Sequence, residues 1–149
     1  ISGGRLQLGI GRGSPETAVD GQAAYGYALA NGETWSDDTR RRADRFRRAV
    51  AGEPMAHSEG AVRHGADADL PVRPQSPGLA DRIWWGAATQ ATGIWAGDEG
   101  MNMVSSTLLL GDDGRPFHVQ QADQVRAYRQ AYAASGHTTG GMTAVTRSV

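Results

Sequence analysis

Two short stretches hold residue types suited to gripping a phosphate. The first is GRLQLGIGRG, Gly4 to Gly13, in which apolar residues alternate with others and Gly9, Gly11 and Gly13 then surround Arg12. A guanidinium is a planar fork that meets phosphate oxygens two at a time, and flanking glycines let a ligand come close to the backbone. A tight turn also needs glycine. On Gly11, Arg12 and Gly13 alone, a phosphate cradle and a plain turn with a solvated arginine stand equal. The spacing lacks the last glycine of G-x-G-x-x-G, so a Rossmann loop is the poorer match. The second stretch runs from Gly86 through Ala88 into a helix that carries Thr89 and Thr92. The first amides of a helix lack partners and the helix dipole favours an anion. Three apart, the two threonines share a face. The plainer role for Thr89 is helix cap.

Other residues invite chemistry less strongly. Ser105, Ser106 and Thr107 end a strand, where they either line a pocket or simply close the element. Trp84 and Trp85 are neighbours on a strand and point to opposite faces, so at most one meets a ligand. In TRRRADRFRR the six arginines, Arg40, Arg41, Arg42, Arg45, Arg47 and Arg48, share a helix with Asp37, Asp38 and Asp44 and have no aromatic stacking platform. This reads as a solvated helix face and not as a nucleic-acid patch. His57, His64, His118 and His137 lack the i, i+4 spacing of a local metal site, so no metal is expected. No residue stands out as a general acid or base, and no catalytic residue is assigned.

The chain has 149 residues, the length of one ordinary domain, with 21% charged residues and a formal net charge of -1. That balance points to no polyanion or anionic membrane, so a partner must be recognised locally. Cysteine is absent, which excludes a disulfide framework and a thiolate metal site. With no leader and no spanning apolar run, a soluble cytoplasmic protein is expected. The chain starts almost inside one strand and ends in another, GMTAVTRSV, which suggests a segment of something longer.

The elements alternate. A strand over 6–10 leads through the glycine turn to a helix over 14–30, interrupted by Gly21 and Gly26. Ser36 with Asp37 and Asp38 starts a second helix, with Ala43, Phe46 and Val50 on one face and Gly52 and Pro54 ending it. Residues 53–80 show almost no periodicity and read as a long surface excursion. Then come a strand over 82–85, a helix over 88–99, a strand over 101–104 and a helix over 118–134 in which Val125, Tyr128 and Tyr132 recur. A last strand holds Ala144 and Val145 amid Thr143 and Thr146. Strands separated by helices imply α/β architecture with a parallel sheet.

In order, SGGRLQLGIGRGSPE, RIWWGAATQATGIWAGDEGMNMVSSTL and GHTTGGMTAVTRSV resemble the luciferase-like flavin-dependent monooxygenases, the family of bacterial luciferase and the alkanesulfonate monooxygenases. The three blocks agree in order and spacing over nearly the whole chain. The resemblance implies a (β/α)8 TIM barrel of which only about the fourth to seventh strand units are present. It also implies reduced flavin mononucleotide (FMN) as cofactor, used with dioxygen to oxygenate a small organic substrate. Some relatives use a deazaflavin coenzyme for hydride transfer instead. Gly11, Arg12 and Gly13 follow the carboxyl end of a strand, where ligands sit in such barrels, and Arg12 is similar to the family arginine that meets the flavin phosphate. Thr89 and Thr92 align with the hydroxyl positions that hold that phosphate, counted back from Trp95. Ala88 stands where some relatives carry an acid, and Ser105 ends the next strand at the ligand side. The family's catalytic groups lie largely on strands missing here. The implied partners are the flavin, a small-molecule substrate, a flavin reductase and a second copy of the chain, with neither nucleic acid nor membrane. The competing reading is a non-catalytic partial barrel or flavin-binding remnant.

Overall fold

Every second residue of Ile83, Trp85 and Ala87 is apolar, and the face they build organises the larger part of the chain. A computed structural model describes residues 3–12, 28–30, 32–60, 67–108, 111, 113–138 and 140–147. In chain order the elements are β1 (Leu8–Ile10), α1 (Trp35–Ala51), β2 (Pro54–Glu59), β3 (Asp67–Pro71), β4 (Ile83–Ala87), α2 (Gln90–Asp98), β5 (Asn102–Ser105), α3 (Phe117–Ala134) and β6 (Thr143–Val145). Two compact units result, residues 1–11 with 81–149 and residues 12–80. The helix expected over 14–30 falls almost wholly outside the described residues.

In the first unit β1, β4, β5 and β6 form one parallel sheet in the order β1-β4-β5-β6. This is the expected α/β architecture with a parallel sheet. Ile10, Trp85, Met103 and Thr143 lie in one register row. That row, with Ile83, Ala87 and Ser105, faces α2 and α3. Ile83, Ala87 and Met103 are fully buried there, the Ile83 and Met103 side chains each worth about 1.5–3 kcal/mol when withdrawn from water. Trp85 packs edge-on against Trp95 of α2, with ring centroids 4.7 Å apart. From α3, the buried Tyr128 hydroxyl donates to the Met101 carbonyl at 2.8 Å. Burial pushes its pKa up to about 12, which keeps it a donor. Along α3 the buried row is Gln121, Gln124, Tyr128 and Tyr132. The expected seam gave Tyr128 and Tyr132, but not the two glutamines.

In the second unit α1 starts two residues earlier than Ser36 suggested. Thr34 is the cap: its hydroxyl accepts from the Asp37 amide at 3.2 Å, and the Asp37 carboxylate accepts from the Thr34 amide at 3.0 Å. This capping box satisfies two orphan donors at once, and the Thr34 hydroxyl, donating to the Asp37 carboxylate at 2.6 Å, together with the Thr34 amide holds that carboxyl below its ordinary pKa. The expected apolar seam is also corrected. Ala43 is buried but Phe46 is 40% exposed, and the second buried residue of the helix is Asp38. Asp38 accepts from Arg41 at 2.5 Å and from Arg42 at 2.7 Å. Within 53–80, β2 and β3 pair antiparallel, with His57 opposite Asp69. The ribbon is largely exposed on both faces, so it carries no hydrophobic period for a sequence reading to find. Among the described residues no helix is long and apolar enough to cross a membrane.

Candidate functional site

Because β1 and β4 are parallel neighbours, the turns that follow them open on the same rim of the sheet. Gly11 sits at that rim beside Gly86. Among the described residues, a Cβ built on Gly11 would find the Gly86 carbonyl oxygen at 3.9 Å and nothing else within 4 Å. Arg12, the next residue, is half-buried and belongs to the second unit. Gly13 lies outside the described residues.

The turn after β4 leads through Ala88 to Thr89, the cap of α2. The Thr89 hydroxyl accepts from the Thr92 amide at 3.2 Å, and the Thr92 hydroxyl accepts from the Thr89 amide at 3.2 Å. The plainer role expected of Thr89 is therefore present. The cap does not exhaust the hydroxyls. Thr92 donates its proton to the Thr89 carbonyl at 2.9 Å, and the two hydroxyl oxygens lie 3.0 Å apart. With the Thr92 proton directed to the backbone, the Thr89 proton is left to its neighbour or to a ligand.

Two buried glutamines of α3, which the sequence reading passed over, hold this end of the sheet. Gln124 donates to the Ala87 carbonyl at 3.2 Å and to the Thr89 carbonyl at 2.9 Å, and its own carbonyl accepts from the Ser105 hydroxyl at 2.5 Å. Gln121 donates to the Thr146 carbonyl at 3.1 Å. The Ala87 and Thr89 carbonyls also accept from the Ser106 and Gly93 amides, each at 3.1 Å, so Gln124 adds a second donor to backbone groups that are already paired. The sequence signal was present as polar residues at helical spacing on an otherwise apolar face, Gln121, Gln124, Tyr128. Ser105 is consequently turned toward the helix layer, fully buried, with its hydroxyl engaged. The structure does not bring it to the opposite face of the sheet.

That opposite face carries Gly9, Trp84, Gly86, Val104 and Ala144. Of the two tryptophans, Trp84 is on it, donating to the Gln7 side-chain oxygen at 2.7 Å, whereas Trp85 is under α2. Ala88, Thr89 and Gln90 also border a small cleft of about 80 Å³ that Arg115 reaches. Arg115 is not a free cation there. It pairs with Asp113 at 2.5 Å and Asp123 at 2.6 Å, and both carboxyls are held below their ordinary pKa by it. The arginines of α1 are similarly matched, Arg41 with Glu33 and Asp38, and Arg48 with Asp44 and Glu53. His57 lies between Asp67 and Asp69, and His137 meets the Asp98 carbonyl at 2.8 Å.

No family model and no curated protein matches the chain. Among solved structures it is similar to the monooxygenase RslO1 from Streptomyces bottropensis, with a TM-score of 0.53 and 24% identity over 95% of this chain. The match covers 40% of that protein, so the chain spans less than half its length, and the likeness is one of fold.

Proposed function

We propose that this chain is the part of a flavin-dependent monooxygenase that holds the phosphate end of reduced FMN, in an enzyme that uses dioxygen to oxygenate a small organic substrate. The observation that carries the reading is the shared rim of β1 and β4, where Gly11 adjoins the turn from Gly86 to the capped α2. The fold likeness to a monooxygenase supports it. The donor set fits a phosphate. Gly11, Ala88, Thr89 and Thr92 bring backbone, amides and hydroxyls, and the Asp113 and Asp123 carboxylates at the neighbouring cleft are matched by Arg115. FMN would supply the oxygen-activating chemistry. The protein's own part is to grip and orient: the first amides of α2 and the Thr89 hydroxyl bind the phosphate, while Trp84 offers an apolar wall on the opposite face of the sheet.

The test compares FMN with riboflavin, which lacks the phosphate. Arg12 follows Gly11 in the chain, and Arg12→Ala is expected to weaken FMN binding by about 1.5–3 kcal/mol, the range for a hydrogen bond to a charged group. Riboflavin binding should change little. Thr89→Ala should show the same selectivity with a smaller loss. Equal FMN affinity in parent and variants, by fluorescence titration, would return these residues to a turn and a helix cap.

In the same reading a flavin reductase supplies the reduced cofactor, and a second copy of the chain covers the outer edges of β1 and β6. Each edge presents unpaired backbone groups that a soluble protein must pair or shield. Light scattering is expected to report a dimeric mass, and a sharp monomeric mass with cooperative unfolding would count against this covering.

A further inference from the structure

Away from the rim, Arg126, Arg129 and Arg147 stand around a cleft of about 380 Å³ between α3 and β6. Ala122, Val125 and Val145 give it an apolar part, beside the polar His118 and Gln121. The volume lies within the range of small-molecule sites, about 300–1,000 Å³.

The charge at this cleft is not cancelled locally. Arg126 pairs with Asp123, which also serves Arg115. Arg129 donates to the Thr143 hydroxyl at 3.3 Å, a neutral partner. Arg147 has no acidic partner among the described residues. Two guanidinium groups without a carboxylate partner among the described residues are a local feature of this cleft, because the chain as a whole carries a formal charge of -1. The contrast with α1 is direct, since Arg41 and Arg48 there each have two carboxylates.

Guanidinium forks recognise a planar carboxylate through paired N–H bonds, and the apolar part recognises hydrocarbon. Val145 is 56% exposed, so an apolar body laid across it would withdraw that surface from water. A nucleic acid is the poorer fit, because among the described residues His118 is the one ring at the cleft and no Phe, Tyr or Trp lines it as a stacking platform. We infer that the cleft between α3 and β6 binds a small aliphatic carboxylate, with its head on Arg129 and Arg147 and its chain over Val125 and Val145. None of these residues belongs to the rim described above, so the inference is independent of the flavin reading.

The test titrates the full chain with octanoate, followed by calorimetry and by methyl NMR shifts. Saturable binding is expected, with shifts centred on Ala122, Val125 and Val145. Octan-1-ol, with the same chain and no charge, should bind at least about tenfold more weakly, and Arg129→Ala and Arg147→Ala should each weaken octanoate about tenfold, since each removes a charge-assisted hydrogen bond. Arg147→Lys, which keeps the charge and loses the fork, should fall between parent and Arg147→Ala. Added salt should weaken binding in the parent, and Arg45→Ala on α1 should leave it unchanged. Equal binding of octanoate and octan-1-ol would overturn the inference, as would unaltered affinity in Arg147→Lys and Arg147→Ala. A second copy of the chain seated in the cleft, seen as octanoate exclusion in the dimer, would overturn it too.

Discussion

Replacing Gly97 by alanine is expected to destabilise the chain by about 1–3 kcal/mol, the usual scale of overpacking, and replacement by leucine is expected to abolish cooperative unfolding. Intrinsic propensity argues the other way, since alanine is favoured over glycine inside a helix by about 1 kcal/mol. Packing decides the sign. A Cβ on Gly97 would lie 2.6 Å from the Tyr128 carbonyl oxygen and 3.0 Å from the Tyr132 amide nitrogen. Both atoms are backbone of α3, so relief requires the two helices to move apart and not merely a side chain to turn. Ala96, fully buried in the same stretch, would be drawn away with α2. Gly93, one turn earlier, meets Met103 Sδ at 3.1 Å and Gln124 Cγ at 3.2 Å, which are side-chain atoms that can yield. Gly93→Ala should therefore cost less than Gly97→Ala. Urea unfolding measures both, and a Gly97→Ala protein as stable as the parent would show that the helices do not approach this closely.

The second large effect is expected at Gln124. Leucine has a similar volume but no polar atoms, and Gln124→Leu strands the Ser105 hydroxyl, while the Ala87 and Thr89 carbonyls lose one donor each and keep the Ser106 and Gly93 amides, both at 3.1 Å. Gln124 is only 2% exposed, so water does not readily replace it. A buried group left unsatisfied costs about 1–3 kcal/mol, and the stranded Ser105 hydroxyl sets that scale for the variant, with the two weakened carbonyls placing it toward the upper end. Their sharing also predicts non-additivity. Ser105→Ala alone should cost less, and combined with Gln124→Leu it should add little, because the hydroxyl it removes is already stranded. Thermal or urea unfolding of the two single variants and the double variant makes the measurement. A Gln124→Leu protein within about 0.5 kcal/mol of the parent, the scatter of an ordinary surface substitution, would mean that the Ser105 hydroxyl finds another partner.

Much of the first unit was legible in the sequence because the interactions that define its elements are local. Strand alternation at Ile83, Trp85 and Ala87 is a two-residue period, and the burial of alternate residues follows it. The Thr89 and Thr92 pair is legible for the same reason, since a capping box joins residues three apart. Even the divergence of Trp84 and Trp85 needs only the pleat of a strand. The same rule misled where two threonine-like starts lay close together. Ser36 and Thr34 both suit a cap, and Asp37, three residues after Thr34, completes the box only with Thr34.

What the sequence by itself determined, then, is the order of strands and helices after Arg82 and the rim turn that carries Thr89. Tertiary structure alone decided which way Ser105 faces, because its partner Gln124 is nineteen residues away on another element. It also decided that Gln121 and Gln124 are buried. Composition marks glutamine as a surface residue, and only the nearness of strand-end carbonyls makes burial favourable. The ribbon of β2 and β3 is held by cross-strand pairing between exposed residues, which leaves no apolar period along either strand. Gly97 is the same lesson in reverse. Its helix would accept any side chain, and the requirement for none comes from the backbone of α3 across the interface.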